Sequence, residues 1–171
     1  MSLINKIGFY LLKFTIFALP VLLLLLISQE SVAQEPPPRP VRVIKIQDLS
    51  FGSFYQGGAG GTVTVLWNGT RSAGGTVVLF GVGGSAAIFN VVANPGTIIS
   101  FLKPVSTLTD GSGHSLSLQI DTTNPASPFV TTNKYPIPTP VSFGGILTVG
   151  TPLANPPGSY SGTFDITFVQ Q

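Results

Sequence analysis

The stretch Tyr160-Ser-Gly-Thr-Phe-Asp-Ile-Thr-Phe168 decides the fold, because large apolar residues and small or polar residues alternate along its length. Tyr160, Phe164, Ile166 and Phe168 fall on one face of an extended chain. Successive side chains of a β-strand point to opposite faces of a sheet, so a period of two residues predicts a half-buried strand. We therefore predict a terminal core strand here, with Phe164 and Ile166 inside the core.

The same two-residue period recurs through the chain after residue 40, and no window there has the period of an amphipathic helix. Asn68-Gly69 predicts a type I′ hairpin turn, and the glycine-rich run 57–61 and the proline-rich run 124–140 predict loops. About eight short strands separated by such turns indicate an all-β antiparallel sandwich. The strands are predicted over 41–47, 62–67, 76–80, 87–93, 97–103, 115–120, 141–149 and 160–168.

The composition excludes several classes of function. Charged residues make up 8% of the 171 residues, the formal net charge is +2, and the chain has no Cys and one His. Thiol catalysis, disulfide scaffolds, clustered His or Cys metal sites and a basic nucleic-acid footprint are therefore excluded. His114 lies in the turn-like stretch Asp110-Gly-Ser-Gly-His114, where a solvated loop histidine is the expected role. We expect no enzyme, catalytic residue, cofactor, metal ion or small-molecule substrate.

The first 33 residues have the pattern of a cleaved secretory signal peptide. Lys6 precedes a predominantly apolar run at 14–27, and Ser31-Val-Ala33 places small residues where a signal peptidase cleaves. A membrane anchor is the alternative, although about 20 apolar residues are needed to span a bilayer. Residues 34–40 predict a proline-rich linker, and 41–171 predict the sandwich domain. We expect the export machinery as a partner and an extracellular or cell-surface location, with the periplasm in transit.

Two segments of the chain resemble a known family. The first is Asp48-Leu-Ser-Phe-Gly-Ser-Phe54, followed by Gly61-Thr-Val-Thr-Val65 and Asn68-Gly-Thr-Arg-Ser72, and the second is the ending Pro157-Gly-Ser-Tyr-Ser-Gly-Thr-Phe-Asp-Ile-Thr-Phe168. Together they resemble a bacterial family of domains of unknown function, family 4402, related to spore-coat-U and fimbrial pilin-like domains. The resemblance implies an immunoglobulin-like (pilin-like) sandwich on exported surface proteins, with no catalytic residues to carry over. The family commonly ends on Tyr, whereas Phe168 here is followed by three further residues.

The leading functional prediction is a non-catalytic structural or adhesive surface subunit, pilin-like, that forms homo-oligomers or joins other surface subunits. Because the chain stops just after its terminal strand, we expect a groove that a neighbour's strand could fill. Val41 and Val43 lie on one face of the segment before the body, and Ile44 and Ile46 lie on the other. This segment is either a donor strand or the first strand of its own domain. A secreted glycan- or protein-binding module is the alternative function, and a small outer-membrane β-barrel ranks third.

Overall fold

The computed structural model describes residues 39–171. The predicted signal peptide and most of the predicted linker therefore lie outside the described residues. The described chain consists of strands and connecting loops, without a helix, which confirms the predicted all-β antiparallel sandwich. No helix long and apolar enough to cross a membrane occurs between residues 39 and 171. The strands are β1 Arg42–Gln47, β2 Ser53–Val65, β3 Arg71–Phe80, β4 Ala87–Val92, β5 Ile98–Phe101, β6 Val105–Thr109, β7 Ser115–Asn124, β8 Phe129–Val130, β9 Thr139–Val149 and β10 Phe168–Gln170.

The larger sheet is organised around β9. One edge of β9 pairs first with β4 and then with β2, and its other edge pairs with β7. The strand order is β1-β4-β9-β2-β3, with β6 joined to β7. The partner changes at Gly144, where an added Cβ would collide with the Val65 carbonyl oxygen and with Thr122 Oγ1. Glycine is needed there because three strands converge on one point of the chain.

The smaller sheet, in the order β10-β5-β8, packs over β9 and β4 through aromatic rings. Phe101 of β5 lies 4.9 Å from Phe143 of β9, measured between ring centres. Phe168 of β10 lies 6.1 Å from Phe89 of β4 and 6.0 Å from Phe143. Phe143 is fully buried at the centre of this cluster. These edge-on and tilted contacts join the two sheets into one core.

The β2–β3 hairpin is present, but its turn is not the predicted type I′. That turn requires a positive φ at both central residues, whereas Gly69 has a φ of 84° and no residue other than glycine has a positive φ in the described chain. The Leu66 carbonyl accepts a hydrogen bond from the Gly69 N–H, and the Leu66 N–H donates to the Thr70 carbonyl. The loop therefore has three residues, a type I turn followed by a left-handed glycine.

Two segments predicted as loops contain strands instead. The glycine-rich run 57–61 lies within β2, where its pairing with β3 is interrupted by a bulge. The proline-rich run 124–140 contains β8, and Phe129 and Thr131 are buried there. Strand β6 was not among the predicted strands. The high glycine and proline content therefore led to a wrong loop prediction for both segments, which contain ordered and partly buried strands.

The regular part of the terminal strand is shorter than predicted. Only 168–170 form a ladder, whereas 160–167 are extended with one isolated bridge between Ser161 and Thr109. Burial still alternates along the segment. Its predicted core residues are half-buried and pack against the core, and the residues between them are exposed. The half-buried residues are Tyr160, Phe164, Ile166 and Phe168.

Candidate functional site

The four candidate residues of the N-terminal segment lie in β1 or directly before it. Strand β1 pairs with β4 in the same chain, so the structure has it as the first strand of its own domain. All six residues of β1 are exposed, and only Val41, just before it, packs against the core. Val43 is paired with the fully buried Val91 and therefore points to the inner face, where it is nonetheless 37% exposed. Ile44 and the bulged Ile46 are also exposed.

The exposure of Val43 has a simple geometric cause. Strand β5 lies over β9, and β10 lies over β4 and β9, so the smaller sheet extends in the direction from β9 toward β1. It ends at β10, one strand short of covering β1. The two layers therefore form a step, with β1 projecting beyond β10. We call this feature, made of β1 and β10, the stepped edge.

Both strands of the stepped edge have one unpaired side within the described chain. Strand β1 pairs only with β4, and β10 pairs only with β5. Residues 160–167, which precede β10, make only a few hydrogen bonds to β6 and to the segment between β5 and β6. The Thr109–Ser161 bridge supplies two hydrogen bonds, Ser106 Oγ donates to the Thr163 carbonyl at 2.6 Å, and the Leu102 N–H donates to the Thr167 carbonyl at 3.2 Å. The backbone of residues 160–170 could therefore pair with a further strand on the side that faces away from β5 and β6.

The directions of the two strands can be derived from their contacts. Phe101, at the end of β5, lies against Phe143, which pairs with Ala87 at the start of β4. Only the five residues 93–97 separate the end of β4 from the start of β5, so the start of β5 lies near the end of β4 and the two strands run in opposite directions. Because β10 is antiparallel to β5 and β1 is antiparallel to β4, β10 and β1 run in opposite directions.

The only histidine stabilises a turn. His114 Nδ1 lies 2.6 Å from Asp110 Oδ2, and Asp110 Oδ1 accepts hydrogen bonds from the backbone N–H groups of Ser112 and His114. Partial burial of Asp110 acts to raise its pKa, but the hydrogen bonds and charge of His114 and the N–H of Ser112 outweigh it and hold the pKa below its ordinary value. Burial and the Asp110 charge raise the pKa of Tyr160. Between residues 39 and 171, no three His, Cys, Asp or Glu side chains are grouped to hold a metal ion.

A second candidate surface is a groove beside Trp67, which the sequence alone predicts only in part. Trp67 is an exposed aromatic residue in the β2–β3 turn, and it borders a groove of about 410 Å³ on the outer face of the larger sheet. Gln47, Ile88 and Ser142 complete this groove, from β1, β4 and β9. No sequence signal brings these three together, because their proximity depends on long-range strand register.

One protein-family model matches most of the chain. Residues 41–169 match the model of a family described as a domain of unknown function, DUF4402. No curated protein and no solved structure matches the chain. The predicted relation to spore-coat-U and fimbrial pilin-like domains therefore stays a prediction. Because the matched residues are well over half of the sequence, the chain belongs to the DUF4402 family.

Proposed function

We propose that this domain is a non-catalytic structural or adhesive subunit of an exported cell-surface assembly, and that two copies join through the stepped edge. The observation that carries the proposal is the step itself, which leaves Val43 37% exposed on the inner face, between two strands with unpaired sides. Natural monomers guard such edges with charges, prolines or bulges. Strand β1 carries Arg42, Lys45 and a bulge at Ile46, whereas from Tyr160 to Gln171 the only charged residue is Asp165. The β10 side of the stepped edge therefore has little protection, which favours strand addition there.

The step is complementary to itself under a two-fold rotation about an axis parallel to the strands. The rotation places β10 of one copy beside β1 of the other, in both layers at once. Each sheet of one subunit then continues into the opposite sheet of the second copy. The two β1 strands lie one above the other, so that each Val43 is covered by its counterpart. A symmetric pair of this kind uses the same patch twice, which is the commonest arrangement of soluble dimers.

The strand directions and heights support the same arrangement. Because β1 and β10 run in opposite directions, the two new strand pairs would be antiparallel. A rotation about an axis parallel to the strands does not change the position of a residue along that axis. Phe168 contacts Phe89, and Phe89 is the cross-strand partner of Lys45. Phe168 of one copy is therefore expected beside Lys45 of the other, and Gln170 beside Val43.

Charge at the interface is the main unfavourable contribution. Lys45 shares the inner face with Val43, so the two Lys45 side chains approach each other in the dimer. Each is paired with Asp48 of its own chain, at 2.8 Å between Lys45 Nζ and Asp48 Oδ1. This ion pair lowers the repulsion between the copies. An Asp48→Asn substitution should therefore weaken the dimer, most strongly at low ionic strength.

Sedimentation equilibrium of the chain from Gln34 tests the proposal. Val43→Lys adds two further charges to the centre of the interface and should convert the dimer to monomer. Val78→Lys is the matched control, since Val78 is an exposed valine on β3, a strand that is not part of the stepped edge. It should leave the dimer intact. A monomeric parent chain at high concentration, or equal effects of the two substitutions, would contradict the proposal.

Engineered cysteines distinguish strand addition from exchange of β1 between copies. The sequence has no Cys, so every disulfide is defined by the substitution. Val43→Cys should give a disulfide-linked dimer on mild oxidation, and Val82→Cys, in a fully exposed loop, measures random collision. Ile44 and Asn90 are cross-strand partners in β1 and β4. The double variant Ile44→Cys/Asn90→Cys should close within one chain if β1 stays in place. A dimer linked through this pair would show exchange instead.

A further inference from the structure

The groove beside Trp67 has the form of a small binding site. Its floor is a row of three residues across neighbouring strands, because Gln47 pairs with Ile88 and Ile88 pairs with Ser142. The core residues Ala87, Phe89 and Phe143 flank this row in sequence and point inward, so the row faces outward. The β2–β3 turn and the loop before β4 form the walls. The remaining lining residues are Trp67, Asn68, Gly69, Gly84, Ser85 and Ala86.

Trp67 is held by backbone contacts although its side chain is 42% exposed. Its N–H donates to Thr122 Oγ1 of β7 at 3.0 Å, and the turn on which it lies is closed by hydrogen bonds between Leu66 and both Gly69 and Thr70. A large flat ring on a fixed backbone loses little conformational freedom when it binds a ligand. Trp67 is thus suited to be a stacking platform.

The polar groups of the groove are oriented and have unused hydrogen-bonding capacity. Gln47 Nε2 donates to the Ala86 carbonyl at 2.8 Å, which leaves Gln47 Oε1 as an acceptor. Asn68 Oδ1 accepts from the Thr70 N–H at 3.0 Å, which leaves Asn68 Nδ2 as a donor. Ser85 Oγ donates to the Asp48 carbonyl and can still accept a hydrogen bond. The groove thus presents oriented amide and hydroxyl groups beside an aromatic face.

None of the residues that line the groove is charged. An anionic or cationic ligand would therefore find no group of opposite charge among the residues that line the groove. A pyranose ring has an apolar face of C–H groups and a rim of hydroxyls that both donate and accept. We infer that the groove binds a neutral saccharide, with the sugar face on Trp67 and its hydroxyls on Gln47 and Asn68. A volume of about 410 Å³ lies within the usual range for small-ligand sites.

This inference does not depend on the proposed assembly. The groove is on the outer face of the larger sheet, whereas the stepped edge buries the inner face of β1. A Trp67 variant therefore keeps both strands of the stepped edge, and a Val43→Lys monomer keeps Trp67. Failure of either proposal leaves the other standing, and the two can be measured separately.

Intrinsic fluorescence gives a direct test, because Trp67 is the only tryptophan in the sequence. The chain from Gln34 is titrated with cellobiose, maltose, chitobiose and lactose, and with sialyllactose as the anionic comparison. At least one neutral disaccharide should shift or quench the emission in a saturable way below about 10 mM, which covers the millimolar limit of weak specific binding. Sialyllactose should bind no better than lactose. Unchanged emission with all four neutral sugars would overturn the inference.

Calorimetry with the disaccharide that binds then assigns the roles of the residues. Trp67→Ala should lower the affinity at least about tenfold, as truncation of a central aromatic anchor does, and Trp67→Tyr should retain most of it. Asn68→Ala tests the amide donor and should lower the affinity severalfold. Tyr55→Ala is the control, because Tyr55 is an exposed aromatic residue that does not line the groove. Equal losses for Tyr55→Ala and Trp67→Ala, or stronger binding of the anionic sugar, would also overturn the assignment. Thermal melts verify that each variant is folded.

Discussion

Replacement of Phe143 by alanine should be among the most destabilising single changes in this domain. Phe143 is 0% exposed, and burial of a phenylalanine side chain contributes up to about 3 kcal/mol. Its ring also makes edge-on contacts with Phe89, Phe101 and Phe168, at 5.6, 4.9 and 6.0 Å between ring centres. Each contact of this kind is worth about 0.5 kcal/mol or more. We expect Phe143→Ala to lower the free energy of unfolding by about 4 to 5 kcal/mol, within the range for large core truncations.

Urea unfolding followed by circular dichroism measures this loss, and two further Phe→Ala variants calibrate it. Phe164 packs against the same core but is half-buried, so its truncation should cost about 2 kcal/mol. Phe80 is 66% exposed, and its truncation should change the stability by less than about 0.5 kcal/mol. If Phe143→Ala does not fold, Phe143→Leu should still lose about 1.5 kcal/mol. A cost for Phe143→Ala that is no larger than that for Phe164→Ala would refute the packing described above.

Two further predictions concern the turn at Asp110 and the crowded point of β9. Because the folded-state pKa of Asp110 lies below its usual value, the ionised carboxylate stabilises the fold above about pH 4, and this contribution is lost as the pH falls through the lowered pKa. Asp110→Asn should therefore be less stable than the parent at neutral pH, and the difference should vanish in acid, as measured by thermal melts across pH. Gly144→Ala should cost about 3 kcal/mol or more because its Cβ meets backbone of β2, whereas Gly58→Ala, with open space around it, should be nearly neutral.

The sequence was informative wherever one face of a strand is buried and the other is not. In β7 the burial of Leu116, Leu118 and Ile120 alternates with exposed residues, as the period of two predicts. The alternation from Tyr160 to Phe168 is also visible in the burial of the structure, although most of that segment lacks a regular ladder. Side-chain period reports which face is buried, and it does not report whether a neighbouring strand is close enough to pair.

Local composition failed where tertiary contacts overrode it. Gly60, Gly61, Gly74 and Gly75 face one another across β2 and β3, and a Cβ at Gly61 would collide with the Gly74 carbonyl oxygen. The glycines there permit close approach of two strands, whereas composition alone indicated a loop. Strand β8 has only two residues, too few for any period to appear. The Trp67 groove depends on the register of β1, β4 and β9, which are separated by tens of residues and are therefore beyond local pattern analysis.

The two proposals together define what such a dimer could do. In the two-fold arrangement the larger sheets of the two copies lie in opposite layers, so their outer faces point in opposite directions. The two Trp67 grooves, which lie on those faces, are then turned away from each other. One dimer would therefore bind two separate saccharide chains, and would not gain the avidity of two sites on one chain. Bridging of this kind links two surfaces or two polymers. Because the groove is neutral and binds a neutral sugar, the strength of such links would depend little on ionic strength. A structural role and an adhesive role would in that case be the same property of one assembly.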